Sequence, residues 1–234
     1  MPLLLALETA TPIVSAALLR GEEVVAETVA AGGLTAAESV LPSVDSVLRL
    51  AGAQVSELDA FALSIGPGSF TGLRVGLATI KGLAFGSDRP VVPVSTLAAL
   101  ALAAGPGDSP VGALLDASRG ELYAGAFDLG GALPEAIVAE GVYTPSELIP
   151  RLPTTCRLVG EGVALCRQAI EEALGPDSVR PLHGPLARSV GVLGARLLAR
   201  GEFTAVAAVV PRYLRRAEAE VRRTGQRFES AGSG

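Results

Sequence analysis

The 234-residue sequence has one histidine, His183, one lysine, Lys81, and no tryptophan. A metal site built on two or more histidines, including the HExxH and HxxxH patterns, is therefore excluded. A Ser-His-Asp hydrolase would depend on His183, but this residue lies between two prolines in PLHGPL and no GxSxG motif presents a serine. Lys81 does not stand in a Walker A pattern. We therefore predict that His183 is an ordinary loop residue and that the common catalytic motifs are absent.

Cysteines, charged residues and long apolar runs are also scarce. Cys156 and Cys166 lack the spacing of a metal motif, which predicts reduced thiols in a cytoplasmic protein. No apolar run reaches the roughly 18 residues of a membrane span. The first residues carry Glu8 and no basic leader, which argues against a secretory signal. Charged residues make up 18 % and hydrophobic residues 49 %, which excludes a disordered chain. We expect a folded cytoplasmic protein with no membrane partner.

The formal net charge is −5, but residues 212–234 are basic. They contain six arginines and three glutamates, so this tail carries a net charge of +3. A basic tail on an acidic protein could contact RNA phosphates, and Arg212, Arg215 and Arg216 are then the candidate residues. The alternative is a solvated helix end that runs into a disordered ending, ESAGSG.

The order of predicted elements repeats along the chain. A linker rich in glycine and proline at 105–110 separates two halves, each with the order β-β-β-α-β-α. This predicts an α/β protein with the two-lobed actin-like ATPase fold, built from two ribonuclease-H-like units. Its parts would be an N-terminal lobe at 1–104, a C-terminal lobe at 105–211, whose helix 186–200 could pack back on the first lobe, and a partly disordered tail at 212–234. The strands are predicted at 3–8, 13–19, 23–30, 60–65, 91–94, 111–116, 121–127, 136–142 and 156–160, and the helices at 36–51, 72–86, near 95–104, 145–151, 162–174 and 186–200.

One apolar stripe characterises the first predicted helix. Thr35 and Glu38 have the spacing of a capping box at its start. The ring of Pro42 would clash with the carbonyl of Glu38 in a regular helix, which predicts a later start or a kink. The stripe consists of Val40, Val44, Val47 and Leu48.

A glycine-rich loop, GPGSFTGLRVG, lies between a predicted strand and a helix. Backbone N–H groups at a helix N-terminus can hold an anion, although the glycine spacing is not that of a dinucleotide-binding loop. The alternative is a tight turn that lets the helix approach closely. Gly72, Gly76 and Gly82 lower the stability of the helix itself, so they indicate close packing within the lobe or across a subunit contact.

Seven blocks follow one another from the N-terminus: LALETAT, ESVLPSV, GPGSFTGLRVGLATIKGLAFG, PVVPVSTLAALA, DASRGELYAGAF, VGEGV and PRYLR. In this order they resemble the TsaB family, also called YeaZ, over about residues 1–215. The resemblance implies a subunit rather than a stand-alone catalyst. Its partners would be TsaD and TsaE in the N6-threonylcarbamoyladenosine modification of the adenosine beside the anticodon in tRNAs that read ANN codons.

The resemblance also implies an interaction surface. Helices 36–51 and 72–86 would bind TsaD or, in the isolated protein, a second copy of this chain. The alternative is that both apolar stripes cover the chain's own sheet. Any tRNA contact would be indirect, through the complex and the three tail arginines. The expected partner-binding residues are Val40, Val44, Val47, Leu48, Gly72, Leu73, Arg74, Gly76, Leu77, Ile80 and Gly82.

The sequence departs from an active ATPase of this fold. Many relatives have Asp-Thr at the end of the first strand, where this chain has Glu8-Thr9, and LETATP lacks the glycine of a phosphate loop. We therefore predict no catalytic residue, no metal and no cofactor, with ATP binding doubtful. A stand-alone ATP-dependent phosphotransferase is the alternative function, and a peptidase is disfavoured by the single histidine. A relic nucleotide cleft would use Thr9, Gly66, Gly68, Ser69, Asp116, Ser118, Gly120, Gly160 and Gly162.

Overall fold

The computed structural model of the chain describes residues 1–180 and 184–215. The predictions for His183, for Arg216 and for the remainder of the tail lie outside the described residues. In chain order the elements are β1 (Leu3–Glu8), β2 (Ser15–Arg20), β3 (Glu23–Val29), α1 (Ala36–Ala51), β4 (Ala60–Gly66), α2 (Phe70–Leu83), β5 (Val91–Ser95), α3 (Thr96–Ala103), β6 (Val111–Asp116), β7 (Leu122–Asp128), β8 (Glu135–Tyr143), α4 (Pro145–Leu148), β9 (Arg157–Val159), α5 (Arg167–Leu174) and α6 (Ala187–Ala199).

Two sheets with a shared strand order form the two lobes. The first sheet has the order β3-β2-β1-β4-β5 and the second β8-β7-β6-β9. In each sheet the first three strands form an antiparallel meander, and a later strand pairs in parallel with the first strand of that meander, β4 with β1 and β9 with β6. This repetition confirms the prediction of a two-lobed α/β protein with the actin-like fold.

Helices cover both faces of the first sheet. Because side chains alternate along a strand, Leu3, Leu5 and Leu7 of β1 pack on one face with α1 and α2. Leu4 and Ala6 pack on the opposite face with α3 and α6. Helix α6 follows the second sheet in the chain but contacts β1, β2, β4 and β5 of the first. Within the described ranges, no helix has the length and apolar character needed to cross a membrane.

Several element boundaries differ from the sequence-based predictions. Helix α1 begins at Ala36 with the predicted capping box and continues through Pro42, so the later start is wrong. Helix α2 begins at Phe70 because the Oγ of Ser69 accepts a hydrogen bond from the Gly72 N–H. The helix predicted at 162–174 is divided at Cys166, with a 3₁₀ turn before it and α5 after it.

Candidate functional sites at the interlobe cleft and helix α2

A cleft of about 640 Å³ lies between the two lobes. The structure brings four of the predicted cleft residues together there: Thr9, Gly68 and Ser69 from the first lobe and Asp116 from the second. A smaller cavity of about 170 Å³ shares part of its lining with this cleft and includes Gly160. The other predicted residues, Gly66, Ser118, Gly120 and Gly162, line neither cavity.

The β1–β2 loop folds around a buried carboxylate. Glu8 is fully buried, and its Oε1 accepts hydrogen bonds from the N–H groups of Ala10 at 2.6 Å and Thr11 at 2.9 Å. Its Oε2 lies 2.7 Å from the Oγ1 of Thr11. Burial raises the pKa of Glu8 to about 7, although these hydrogen bonds oppose the shift. The loop's N–H donors are thus used by a side chain of the same chain and not by a ligand in the cleft.

The glycine loop packs against this β1–β2 loop. The N–H of Ser69 donates to the carbonyl of Ala10 at 2.7 Å, and the Oγ1 of Thr9 donates to the carbonyl of Gly72 at 2.8 Å. A Cβ on Gly68 would lie 2.3 Å from the Ala10 oxygen, and one on Gly72 only 1.8 Å from the Thr9 oxygen. The glycines are therefore accounted for by close packing inside the lobe, the alternative to an anion-binding loop.

The motifs of the second lobe also form tight turns. The Oδ1 of Asp116 accepts a hydrogen bond from the Ser118 N–H at 2.6 Å, and Ser118, Arg119 and Gly120 all have positive φ. A Cβ on Gly160 would lie 2.2 Å from the carbonyl oxygen of Leu114. The polar residues of these two motifs that line the cleft are Asp116 and Glu161.

Most of the expected partner-binding residues are not at the surface. The stripe of α1 is at most 8 % exposed and belongs to the core beneath α1 and α2. One face of the sheet must be covered and the two apolar stripes cover it, so the binding of a partner by these residues stays a prediction. The buried residues are Val40, Val44, Val47 and Leu48 of α1, and Gly72, Leu73, Gly76 and Ile80 of α2.

A different face of α2 remains accessible. Arg74 and Gly82 are exposed and Leu77 is half-buried, and a Cβ on Gly82 would meet nothing within 4 Å. Phe85, just beyond the helix, is 89 % exposed. Phe85 was not among the predicted residues; it follows the end of α2 at Leu83 and lines a groove together with Lys81. We define the α2 outer face as Arg74, Leu77, Ala78, Lys81, Gly82 and Phe85.

The two described tail arginines make ion pairs within the chain. The Nη1 of Arg212 lies 2.7 Å from the Oε2 of Glu140. Arg215 pairs with Glu121 and donates a hydrogen bond to the carbonyl of Ala117 at 2.6 Å. Glu121 and Glu140 carried no signal in the sequence analysis, because their partners lie far away in the chain.

Comparison with known proteins identifies the family. A family model described as TsaD, tRNA N6-adenosine threonylcarbamoyltransferase, matches residues 35–223. The tRNA threonylcarbamoyladenosine biosynthesis protein TsaB of Bacillus subtilis is 30 % identical over 225 residues, which cover 94 % of this chain and 96 % of that protein. TsaB of Haemophilus influenzae is 38 % identical over 191 residues, covering 76 % of this chain and 80 % of that protein.

The solved structures agree with these sequence relatives. YeaZ from Pseudomonas aeruginosa has a TM-score of 0.78 and 31 % identity, covering 92 % of this chain and 100 % of that chain. The two sheets of shared order and the cleft between them define a two-lobed protein of the actin-like ATPase fold. The chain belongs to the TsaB (YeaZ) family, whose named members are tRNA threonylcarbamoyladenosine biosynthesis proteins. The resemblance noted in the sequence is confirmed.

Proposed function

We propose that this chain is a non-catalytic subunit required for N6-threonylcarbamoyladenosine modification of the adenosine beside the anticodon in tRNAs that read ANN codons. It would act by binding TsaD and, through the joint surface, TsaE. Family membership supports the place of the chain in this modification. The match to a family model named for TsaD indicates that this chain and TsaD have a common ancestor. Related proteins of one fold often pair with each other, which supports an assembly of this chain with TsaD.

The observation that carries the binding role is the α2 outer face. It combines an almost fully exposed aromatic ring at Phe85 with a position without a side chain at Gly82. A groove of about 600 Å³ lies between the end of this helix and residues 205–207, and Lys81 and Phe85 both line it. Exposed aromatic side chains beside a concave surface are typical of protein interfaces. A second copy of the chain is the alternative occupant in the isolated protein.

The β1–β2 loop supports the non-catalytic part of the proposal. An ATP-dependent phosphotransferase needs free donors near the transferred phosphate. Here the N–H groups of Ala10 and Thr11 both donate to Glu8. The alternative function as a stand-alone phosphotransferase therefore lacks part of its phosphate site, and ATP binding would depend on the remaining groups of the cleft.

Reconstitution with purified components tests the proposal. Modification mixtures with TsaD, TsaE and the threonylcarbamoyl-adenylate synthase should form threonylcarbamoyladenosine in tRNA only when this chain is present, as measured by mass spectrometry. Equal product without the chain would contradict the proposal. ATP hydrolysis by the chain alone, lost in Asp116→Ala, would then favour the phosphotransferase.

The α2 outer face gives a second prediction. Phe85→Asp should weaken TsaD binding about 10-fold or more, because it places a charge where an aromatic ring would be buried. The matched control is Phe203→Asp, which changes another exposed phenylalanine, 51 % accessible and outside this face. Isothermal titration calorimetry of both variants measures the effect. Equal affinities for the two would place the interface elsewhere.

The tail gives a third prediction. Removing residues 216–234 deletes four arginines but leaves the ion pairs of Arg212 and Arg215 in place. If the tail contacts phosphates, the complex should bind tRNA more weakly, with a shallower dependence of affinity on salt concentration. Filter binding between 50 and about 200 mM salt measures this slope. An unchanged slope would assign the tail to solvent.

A further inference from the structure

The segment 209–215 contacts both lobes, next to the chain stretches that carry cleft residues Gly68 and Asp116. Val209 is buried in the core of the first lobe. The N–H of Arg212 donates to the carbonyl of Ile65, at the end of β4, with a distance of 2.8 Å. A Cβ on Gly66 would lie 2.7 Å from the Arg212 carbonyl oxygen, so the segment passes directly over this strand end. The glycine loop that lines the cleft begins at this point.

The side chains of the same segment reach the second lobe. Arg212 pairs with Glu140 of β8, whose side chain is only 10 % exposed. The other oxygen of Glu140 accepts a hydrogen bond from the Oγ of Ser95 at 2.7 Å, so the first lobe holds Glu140 from two sides. Arg215 binds Glu121 and the Ala117 carbonyl, immediately after cleft residue Asp116. Partly buried ion pairs are screened less than exposed ones, so these pairs can hold the lobes together.

Between the two arginines, Tyr213 contacts α2. Its Oη lies 3.1 Å from the Nε of Arg74, which donates the hydrogen bond. The Tyr213 ring lies with its centroid 5.1 Å from that of Phe70 and is tilted by 34°, and the Arg74 guanidinium lies 4.0 Å above the Phe70 ring. The orientation of Arg74 on the α2 outer face therefore depends on the position of the segment.

We propose that residues 209–215 form an interlobe clasp that sets the width of the cleft and couples it to the α2 outer face. Arg212 and Arg215 hold the second lobe, and Tyr213 holds Arg74. A partner that moves Arg74 therefore also moves Tyr213 and, with it, the rest of the clasp. Conversely, a change in the distance between the lobes moves Arg74. The coupling to a partner rests on the proposed function, whereas the lobe restraint does not.

Distance measurement tests the lobe restraint. Glu23→Cys on β3 and Ala173→Cys on α5 give one exposed labelling site in each lobe. The native Cys156 and Cys166 are buried, and burial raises the pKa of both thiols, which keeps them from competing. Electron–electron double resonance on spin-labelled full-length chain should give one narrow distance distribution.

The clasp variant is Arg212→Ala/Arg215→Ala, and the matched control is Arg167→Ala, which removes an exposed arginine–glutamate pair inside α5. We expect the clasp variant to broaden the distance distribution and shift it to longer values, and the control to leave it unchanged. If the alanine variant does not fold, Glu140→Gln keeps the size of the side chain and removes one of the two ion pairs. A folded variant with an unchanged distribution would overturn the clasp.

Partner binding tests the coupling separately. The clasp variant should bind TsaD on the order of 5-fold more weakly than the control, although the substituted residues lie outside the α2 outer face. A broadened distribution with unchanged affinity would overturn the coupling and leave the lobe restraint standing. Absence of TsaD binding by the unmodified chain would overturn the proposed function and the coupling with it, but not the distance result.

Discussion

Replacing Gly72 by alanine should lower the free energy of unfolding by about 3 kcal/mol or more. The added Cβ would lie 1.8 Å from the carbonyl oxygen of Thr9. That oxygen belongs to the backbone, so it cannot rotate away as a flexible side chain would. The first turn of α2 must then separate from the β1–β2 loop, and the hydrogen bond from the Thr9 Oγ1 to the Gly72 carbonyl is lost.

Gly82 in the same helix provides the matched control. A Cβ at Gly82 would meet nothing within 4 Å, so Gly82→Ala should stabilise the protein by up to about 1 kcal/mol through helix propensity. Urea denaturation of both variants gives the two free energies. If both variants were stabilised, helix propensity would determine the change in the free energy of unfolding at both positions, and the contact with Thr9 would not contribute to it.

The second large effect concerns Glu8 and pH. Its pKa is raised from 4.5 to about 7 by burial. The folded chain therefore binds more protons than the unfolded chain between these two pH values, and the free energy of unfolding falls as pH rises through this range. The fall amounts to about 3 kcal/mol and is complete above pH 7. Glu22, Glu38 and Glu147 have lowered pKa values, so their contributions lie below pH 4.5.

Two variants of Glu8 isolate this contribution. Glu8→Gln has no titrating proton and retains an oxygen for the Ala10 and Thr11 N–H groups, so its stability should change little between pH 5 and pH 8. Glu8→Ala leaves the buried N–H of Ala10 and the half-buried N–H of Thr11 without their acceptor and should lose about 2–4 kcal/mol at pH 5. Denaturation of the three proteins at both pH values measures the differences. A pH slope that persists in Glu8→Gln would assign it to other groups.

Local signals were sufficient for much of the fold. Alternating apolar residues and turn signals placed the nine strands of residues 1–180 and 184–215 within one or two residues, because strand periodicity is a property of neighbouring positions. The division of the helix predicted at 162–174 could not be foreseen from such signals. The 3₁₀ turn before the break packs closely on the β6 backbone through Gly160 and Gly162, a contact between residues distant in sequence.

Some predicted site residues lie at the surface and others are buried, and local sequence signals could not distinguish the two groups. The stripe Val40, Val44, Val47 and Leu48 was recognised as apolar, but periodicity does not say whether an apolar face meets the chain's own sheet or a partner. The three α2 glycines looked alike in the sequence. Their surroundings differ: Gly72 and Gly76 face the Thr9 backbone and side chain, and Gly82 faces open space.

The sequence by itself determined the family, the duplicated strand order and the absence of a multi-histidine metal site, because these depend on which residues are present and in what order. Only the tertiary structure showed that Glu8 fills the β1–β2 loop and that residues 209–215 join the lobes through Glu121 and Glu140. These contacts pair residues that lie two positions apart in one case and more than 70 in the others. These contacts form because of backbone geometry and of packing between the lobes. Composition, residue spacing and periodicity describe only neighbouring positions and therefore do not reveal them.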